Sequence, residues 1–215
     1  MIINILAGGP LEQVPELDTY SAKNGTWVGV DRGVFTLLSK GIVPDIAFGD
    51  FDSVTAAEWQ LIRQKVESLK KYKPEKNETD MEIALNWAIE QNPSEIRIFG
   101  CTGGRLDHLL ANIQLLLKPL FSGSGCEIHL IDKQNTVFVK GPGIYKIKRI
   151  QEKMYTSFLP LTLEVKGITL EGFKYPLNDC HISIGSTLCI SNELINEEGT
   201  FSFSEGILIV VRSRD

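Results

Sequence analysis

Ile46-Ala47-Phe48-Gly49-Asp50-Phe51-Asp52-Ser53 is an apolar run that breaks off into a glycine and two acids. A short apolar run bounded by turn residues reads as the end of a buried strand. Residues two apart in an extended chain point to the same side. Asp50 and Asp52 are therefore expected to aim two carboxylates at one point, with Phe51 facing the other way. Gly49 permits a turn or a close approach of backbone. Two such carboxylates repel unless a cation sits between them or one takes up a proton. Mg²⁺ suits the position, since it binds a few protein carboxylates together with waters and phosphate oxygens. The plain alternative is an acidic surface turn that binds nothing. The location favours a ligand, because open α/β sheets bind beyond the carboxyl ends of their strands.

The same pattern repeats on both sides of this stretch. Ile2 to Leu6 is a strand that runs into Ala7-Gly8-Gly9-Pro10, and Trp27 to Val30 is a second that ends at Asp31-Arg32-Gly33. A helix is expected from Val34 to Ser39, stopped by Gly41, and another from Ala56 to Gln64; Ser68 to Tyr72 is a weaker strand. Thr79-x-x-Glu82 has the spacing of a capping box, and Met81, Ala84, Leu85 and Ala88 follow at helical spacing. Ile96 to Phe99 is a strand ending at Gly100. Leu106, Leu109, Leu110 and Ile113 mark a further amphipathic helix, and Ile128 to Ile131 a last strand. Strands alternating with helices imply a mainly parallel α/β sheet of Rossmann-like type. After about Lys133 the helical period stops. Short β-like segments punctuated by Gly and Pro run from Thr136 to Val211, among them Leu161 to Val165, Gly167 to Leu170 and Ser186 to Ile190. They predict an all-β sandwich or roll. The expected division is 1–135 and 136–215.

Composition bounds the function. The chain has 215 residues, 43% of them apolar, enough to build a core, and a formal net charge of -5 with no basic run. That argues against a general phosphate-backbone binder and so against a nucleic-acid partner. Cys101, Cys126, Cys180 and Cys189 show no metal-ligand spacing among themselves or with His108, His129 and His181, which argues against zinc. They read as thiols in a reducing cytosol. The N-terminal stretch lacks a basic region with a cleavage site, and no apolar run is long enough to span a bilayer. A soluble cytoplasmic protein is expected.

Several polar groups fall after strands or at helix starts of the first half: Asp31, Asp50, Asp52, Asp80 and Gly103-Gly104-Arg105-Leu106-Asp107-His108. In a parallel sheet these positions converge on one edge. Each has an ordinary reading as well. An acid in a first helical turn complements the dipole, and two glycines can simply mark a turn. Jointly they offer acids for Mg²⁺ and, at a helix N-terminus, a glycine loop with an arginine for phosphates. The P-loop and dinucleotide fingerprints are both missing.

Gly49-Asp-Phe-Asp-Ser53, Lys76-Asn-Glu-Thr-Asp80, Gly100-Cys-Thr-Gly-Gly-Arg-Leu-Asp-His108 and Ile190-Ser-Asn-Glu193 occur in that order. Together they resemble thiamine pyrophosphokinases of the bacterial type over nearly the whole chain. The resemblance implies pyrophosphoryl transfer from ATP to the hydroxyl of thiamine, giving AMP and thiamine diphosphate. It also implies a homodimer, with an ATP- and Mg²⁺-binding first domain and a thiamine-binding second domain. By that resemblance Asp50, Asp52 and Asp80 hold Mg²⁺ and Asp31 lies near the reacting groups. Asn77, Thr79, Gly103, Gly104, Arg105, Asp107 and His108 lie around ATP, and Ser191 and Asn192 face thiamine. Asn77 stands where the family often has an acid. All three tryptophans lie in the first half, so no stacking residue for thiamine is named.

Two other readings compete. Asp50-Phe-Asp-Ser-Val54 imitates the nucleophile motif of haloacid-dehalogenase-type phosphatases, but no later acidic motif of that family follows. A non-catalytic nucleotide sensor would favour basic groups over this set of acids.

Overall fold

The computed structural model describes residues 1–20, 25–73 and 75–215. The chain divides into two compact units, Met1–Lys133 and Gln134–Asp215. The first holds strands β1 (Ile2–Leu6), β2 (Gly25–Val30), β3 (Ile46–Gly49), β4 (Leu69–Lys71), β5 (Glu95–Phe99) and β6 (Glu127–Ile131). They lie in the order β6-β5-β1-β2-β3-β4, and every pairing is parallel. Helices α1 (Arg32–Ser39), α2 (Ala56–Lys65), α3 (Asp80–Glu90), α4 (Leu106–Leu115) and α5 (Lys118–Ser122) fall between strands. The central strand β1 is buried from Ile3 to Leu6 without alternation, as expected of a parallel strand covered on both faces.

The chain order reverses beside β1, where β5 is its neighbour. The loops leaving these two strands touch through backbone. Ala7 N–H donates to Phe99 C=O and Gly9 N–H to Gly100 C=O, both at 2.9 Å. A Cβ at Gly9 would lie 2.3 Å from the Gly100 oxygen, and one at Gly100 would lie 2.5 Å from the Ala7 oxygen. Glycine at both positions is what lets the loops close on each other.

Two helical expectations shift. The full capping box forms at Thr55 and Glu58, opening α2. At Thr79 only half of one forms: Thr79 Oγ1 accepts from Glu82 N–H, while the Glu82 carboxylate pairs with Lys118 at 2.8 Å. Helix α4 is present, but Leu106 and Leu110 are 67% and 53% exposed and Asn112 is its buried residue. Its apolar spacing therefore does not describe a core-facing stripe.

The second unit contains strands β7 (Asn135–Lys140), β8 (Gly143–Lys148), β9 (Tyr155–Pro160), β10 (Glu164–Glu171), β11 (Leu177–Ser183), β12 (Asn192–Glu193), β13 (Glu198–Phe203) and β14 (Leu208–Ser213). Antiparallel pairing gives the orders β12-β9-β14-β7 and β11-β10-β13-β8. Burial alternates along β13 and β14, the period-two pattern of a strand with one covered face. Phe158, Leu208 and Val210 from one order and Ile168, Leu170 and Phe201 from the other share one buried cluster. Leu161 to Val165 and Gly167 to Leu170 do not form two strands. Their β residues belong to β10, whose pairing with β11 slips between Val165 and Ile168, beside Gly167 at φ 72°. Such a slip marks a bulge. Ser186 to Ile190 contains turns rather than a strand.

Among the described residues, no helix is long and apolar enough to cross a membrane.

Candidate active site

Asp31, at the end of β2, is the N-terminal cap of α1, yet its side chain makes no capping bond. Its backbone sits at φ 49°, ψ -123°, a conformation that L residues rarely adopt. It is fixed there by its N–H, which donates to Phe48 C=O at 2.9 Å, and by its C=O, which accepts from Val34 N–H at 3.1 Å. The freed carboxylate turns towards the end of β3, where Oδ1 accepts from Phe51 N–H at 3.4 Å. Gly49 provides the room: a Cβ there would stand 2.0 Å from Asp31 Oδ1.

The extended geometry expected for Asp50 to Asp52 is not what the backbone adopts. Strand β3 ends at Gly49, and Phe51 has φ 61°. Phe51 packs its ring, 6% exposed, among Val34, Ala47, Ile62 and Val66. Burying that ring across the turn breaks the alternation. Asp50 Oδ1 accepts from Asp52 N–H at 3.1 Å, and Asp52 itself is exposed. The carboxylates brought together are those of Asp31, Asp50 and Asp80, with one oxygen from each within 4.8 Å of the others. Asp52 lies outside this group. Asp80 comes from the first turn of α3, and its Oδ1 pairs with Lys76 Nζ at 2.6 Å.

Burial, then the charges of Asp80 and Asp50, push the Asp31 carboxyl up to about 6, against the opposing Phe51 N–H bond and Lys76. An all-oxygen carboxylate set whose members resist common ionisation is the donor chemistry that Mg²⁺ accepts. The residues present therefore fit that ion. In the metal-free protein the raised value has a direct consequence for stability. Asp31 binds its proton more tightly folded than unfolded, so its contribution favours folding below the ordinary carboxylate range, near pH 4, and is lost as pH rises through about 6. Removing the carboxyl with Asp31→Asn should flatten the metal-free thermal midpoint between roughly pH 4 and 6. An unchanged pH profile would contradict the placement of this carboxyl among the other two.

The glycine loop stands apart from the acids in its chemistry. Gly103 adopts φ 76°, and a Cβ there would press on Gln13 at 2.6 Å, whereas Gly104 has ordinary room beside Pro10. Arg105 caps α4 without a side-chain cap bond. Its guanidinium grips Asp107 in two bonds of 3.1 and 2.6 Å, and that bond holds the Asp107 carboxyl down to about 2. Arg105, Asp107, His108 and Asn77 are exposed, and Thr79 uses its hydroxyl as the cap of α3.

In the second unit Ser191 is exposed at φ 55°, its N–H donating to Ser157 Oγ at 2.9 Å. Asn192 is 2% exposed. Its Oδ1 accepts from Tyr175 N–H at 3.0 Å and Glu193 N–H at 2.9 Å, and its Nδ2 donates to Tyr175 C=O at 2.8 Å. That amide ties two segments together and is already used. Asn192→Ala should therefore cost roughly 1–3 kcal/mol, because part-buried backbone groups lose their partners, and denaturant unfolding would read it. Unchanged stability would return Asn192 to a purely ligand-facing role.

Residues 17–130 match the sequence profile of the thiamin pyrophosphokinase catalytic domain. Residues 144–208 match that of the thiamin pyrophosphokinase vitamin B1 binding domain. The chain belongs to the thiamine pyrophosphokinase family. A thiamine pyrophosphokinase of Bacillus subtilis (strain 168) is 52% identical over 213 residues, 99% of each chain. The crystal structure of the thiamine pyrophosphokinase from Bacillus subtilis superposes with a TM-score of 0.95 at 52% identity, covering 100% of both chains. That from Geobacillus thermodenitrificans gives 0.91 at 52% identity, covering 100% of this chain and 98% of the other. The sequence expectations do not include Lys76, whose Nζ pairs with Asp80. The signal was a basic residue four positions before an acid, in the segment that leads into α3. They also set Asp31 apart from the metal carboxylates, with which the fold groups it.

Proposed function

We propose that the protein is an enzyme that transfers the pyrophosphoryl group of ATP to the hydroxyl of thiamine, releasing AMP. The observation that carries this reading is the two family domains on one chain with a three-carboxylate cluster in the first. Asp50 and Asp80 would hold Mg²⁺ with Asp31 beside them, and the ion would offset phosphate charge. Phosphoryl transfer asks chiefly for positioning and charge neutralisation. Asp31, grouped with Asp50 and Asp80, is placed to accept the thiamine hydroxyl proton. The N-terminus of α4, with Gly103 and Gly104 before it, offers backbone N–H groups to phosphate oxygens. Arg105 and His108, both exposed, are at hand for the nucleotide. Ser191 offers thiamine an exposed hydroxyl, and Asn192 supports the backbone next to it.

On this reading the first unit is a Rossmann-like nucleotide domain and the second a β-sandwich that takes thiamine. The active unit is a homodimer in the cytoplasm. A phosphatase that uses Asp50 as nucleophile is disfavoured by the family match. Incubation with ATP, Mg²⁺ and thiamine should yield AMP and thiamine diphosphate in equal amounts. Release of ADP or inorganic phosphate without AMP would overturn the proposal.

A further inference from the structure

We infer that Lys76 is a resident counter-cation of the acid cluster, which a divalent metal displaces on binding. The inference rests on the metal reading above and deepens it. Lys76 Nζ lies 2.6 Å from Asp80 Oδ1, and both side chains are mostly buried, 17% and 14% exposed. The partner is one of three carboxylates whose oxygens lie within 4.8 Å of one another. Three acids that close repel in a partly desolvated site, and the ammonium is the positive charge that the fold sets against Asp80.

The lysine has a second contact as well. Its Nζ stands 5.5 Å from the centroid of the Tyr72 ring, within cation–π range. Tyr72 in turn stacks on Phe48 of β3, with centroids 6.5 Å apart and an interplanar angle of 10°. Tyr72 N–H donates to Gly49 C=O at 3.0 Å. The aromatic support is thus tied to the strand that delivers Asp50. A hard dication that takes Asp80 as a ligand competes with the ammonium for the same oxygen. Lysine is well suited to yield, since its charge is a compact head on a flexible stem rather than a rigid two-pronged donor. Lys76 would steady the cluster without metal, weaken metal binding, and be released when the ion enters.

The probe is Mg²⁺ alone, titrated by calorimetry into the full-length protein without nucleotide. Lys76→Met should bind Mg²⁺ about tenfold more tightly than wild type, because a competing unit charge is removed from a partly buried site. Lys76→Arg, which keeps the charge, should not show that gain. Tighter binding by Lys76→Met alone supports the inference. If wild type binds Mg²⁺ and Lys76→Met binds it equally or more weakly, the lysine is no competitor and the inference falls while the metal reading stands. If none of these proteins binds Mg²⁺, both fall. A second measurement needs no variant to fold. Reductive methylation of wild-type Lys76, read by mass spectrometry, should speed up several-fold at saturating Mg²⁺; an unchanged rate would overturn release.

Discussion

An Asp50→Asn protein is expected to fold normally and to lose ~10²–10³ in turnover, the usual cost of removing one well-placed electrostatic group from an active site. Asp52→Asn should lose less than about tenfold, as befits an exposed charge in high dielectric. Asp50 lies in the three-carboxylate cluster and Asp52 does not. The comparison is clean because Asn at position 50 can still accept the Asp52 N–H bond that Asp50 Oδ1 takes at 3.1 Å. The turn therefore survives while the charge goes. Removing a charge from a repelling group should also leave metal-free stability no lower. Rates of AMP formation at saturating ATP and thiamine are the measurement. Equal losses in the two variants would restore the pairing of Asp50 and Asp52 that the spacing alone suggested.

Gly100→Ala is expected to be strongly damaging at the switch between β1 and β5, because it combines a backbone clash with a positive φ. The new Cβ would lie 2.5 Å from Ala7 O and 3.2 Å from both Ala7 C and Leu6 Cδ1, at φ 67°. Backbone cannot swing aside as a side-chain end can. A positive-φ penalty of ~1 kcal/mol joins an overpacking cost of ~1–3 kcal/mol. The thermal midpoint should fall by roughly 6–12 °C for a loss of about 3 kcal/mol in a chain of this length. Gly123→Ala is the internal control, because Gly123 has the same φ of 67° but nothing within 4 Å of its built Cβ. Its loss should be confined to the conformational part. If both variants fall equally, the close approach of the two loops contributes nothing of its own.

The parallel half was legible because its signals are local. Apolar runs such as Ile2 to Leu6 stop at glycine or acid, and helical spacing follows Thr79. The reading failed where a long-range demand overrode a local rule. Phe51 buries its ring against Val34 and Ile62, which requires φ 61° and ends the alternation that would have joined Asp52 to Asp50. Glu82 has the spacing of a capping box but finds Lys118, thirty-six positions away, a better partner. Leu106 and Leu110 have helical spacing without burial, since periodicity shows which residues share a face and not what covers it. Asn192 was legible as a special residue. That its amide is consumed by Tyr175 and Glu193 depends on a seventeen-residue return of the chain, which no spacing reveals. The grouping of Asp31 with Asp50 and Asp80 likewise needed three separate strand and helix ends brought side by side.

The most direct test of the account is where a metal settles. Crystals soaked in Mn²⁺, which substitutes for Mg²⁺ at oxygen sites and scatters anomalously, should show one strong peak bonded to the carboxylates of Asp50 and Asp80 beside Asp31. A peak centred on Asp52, or none at the three-carboxylate cluster, would contradict it.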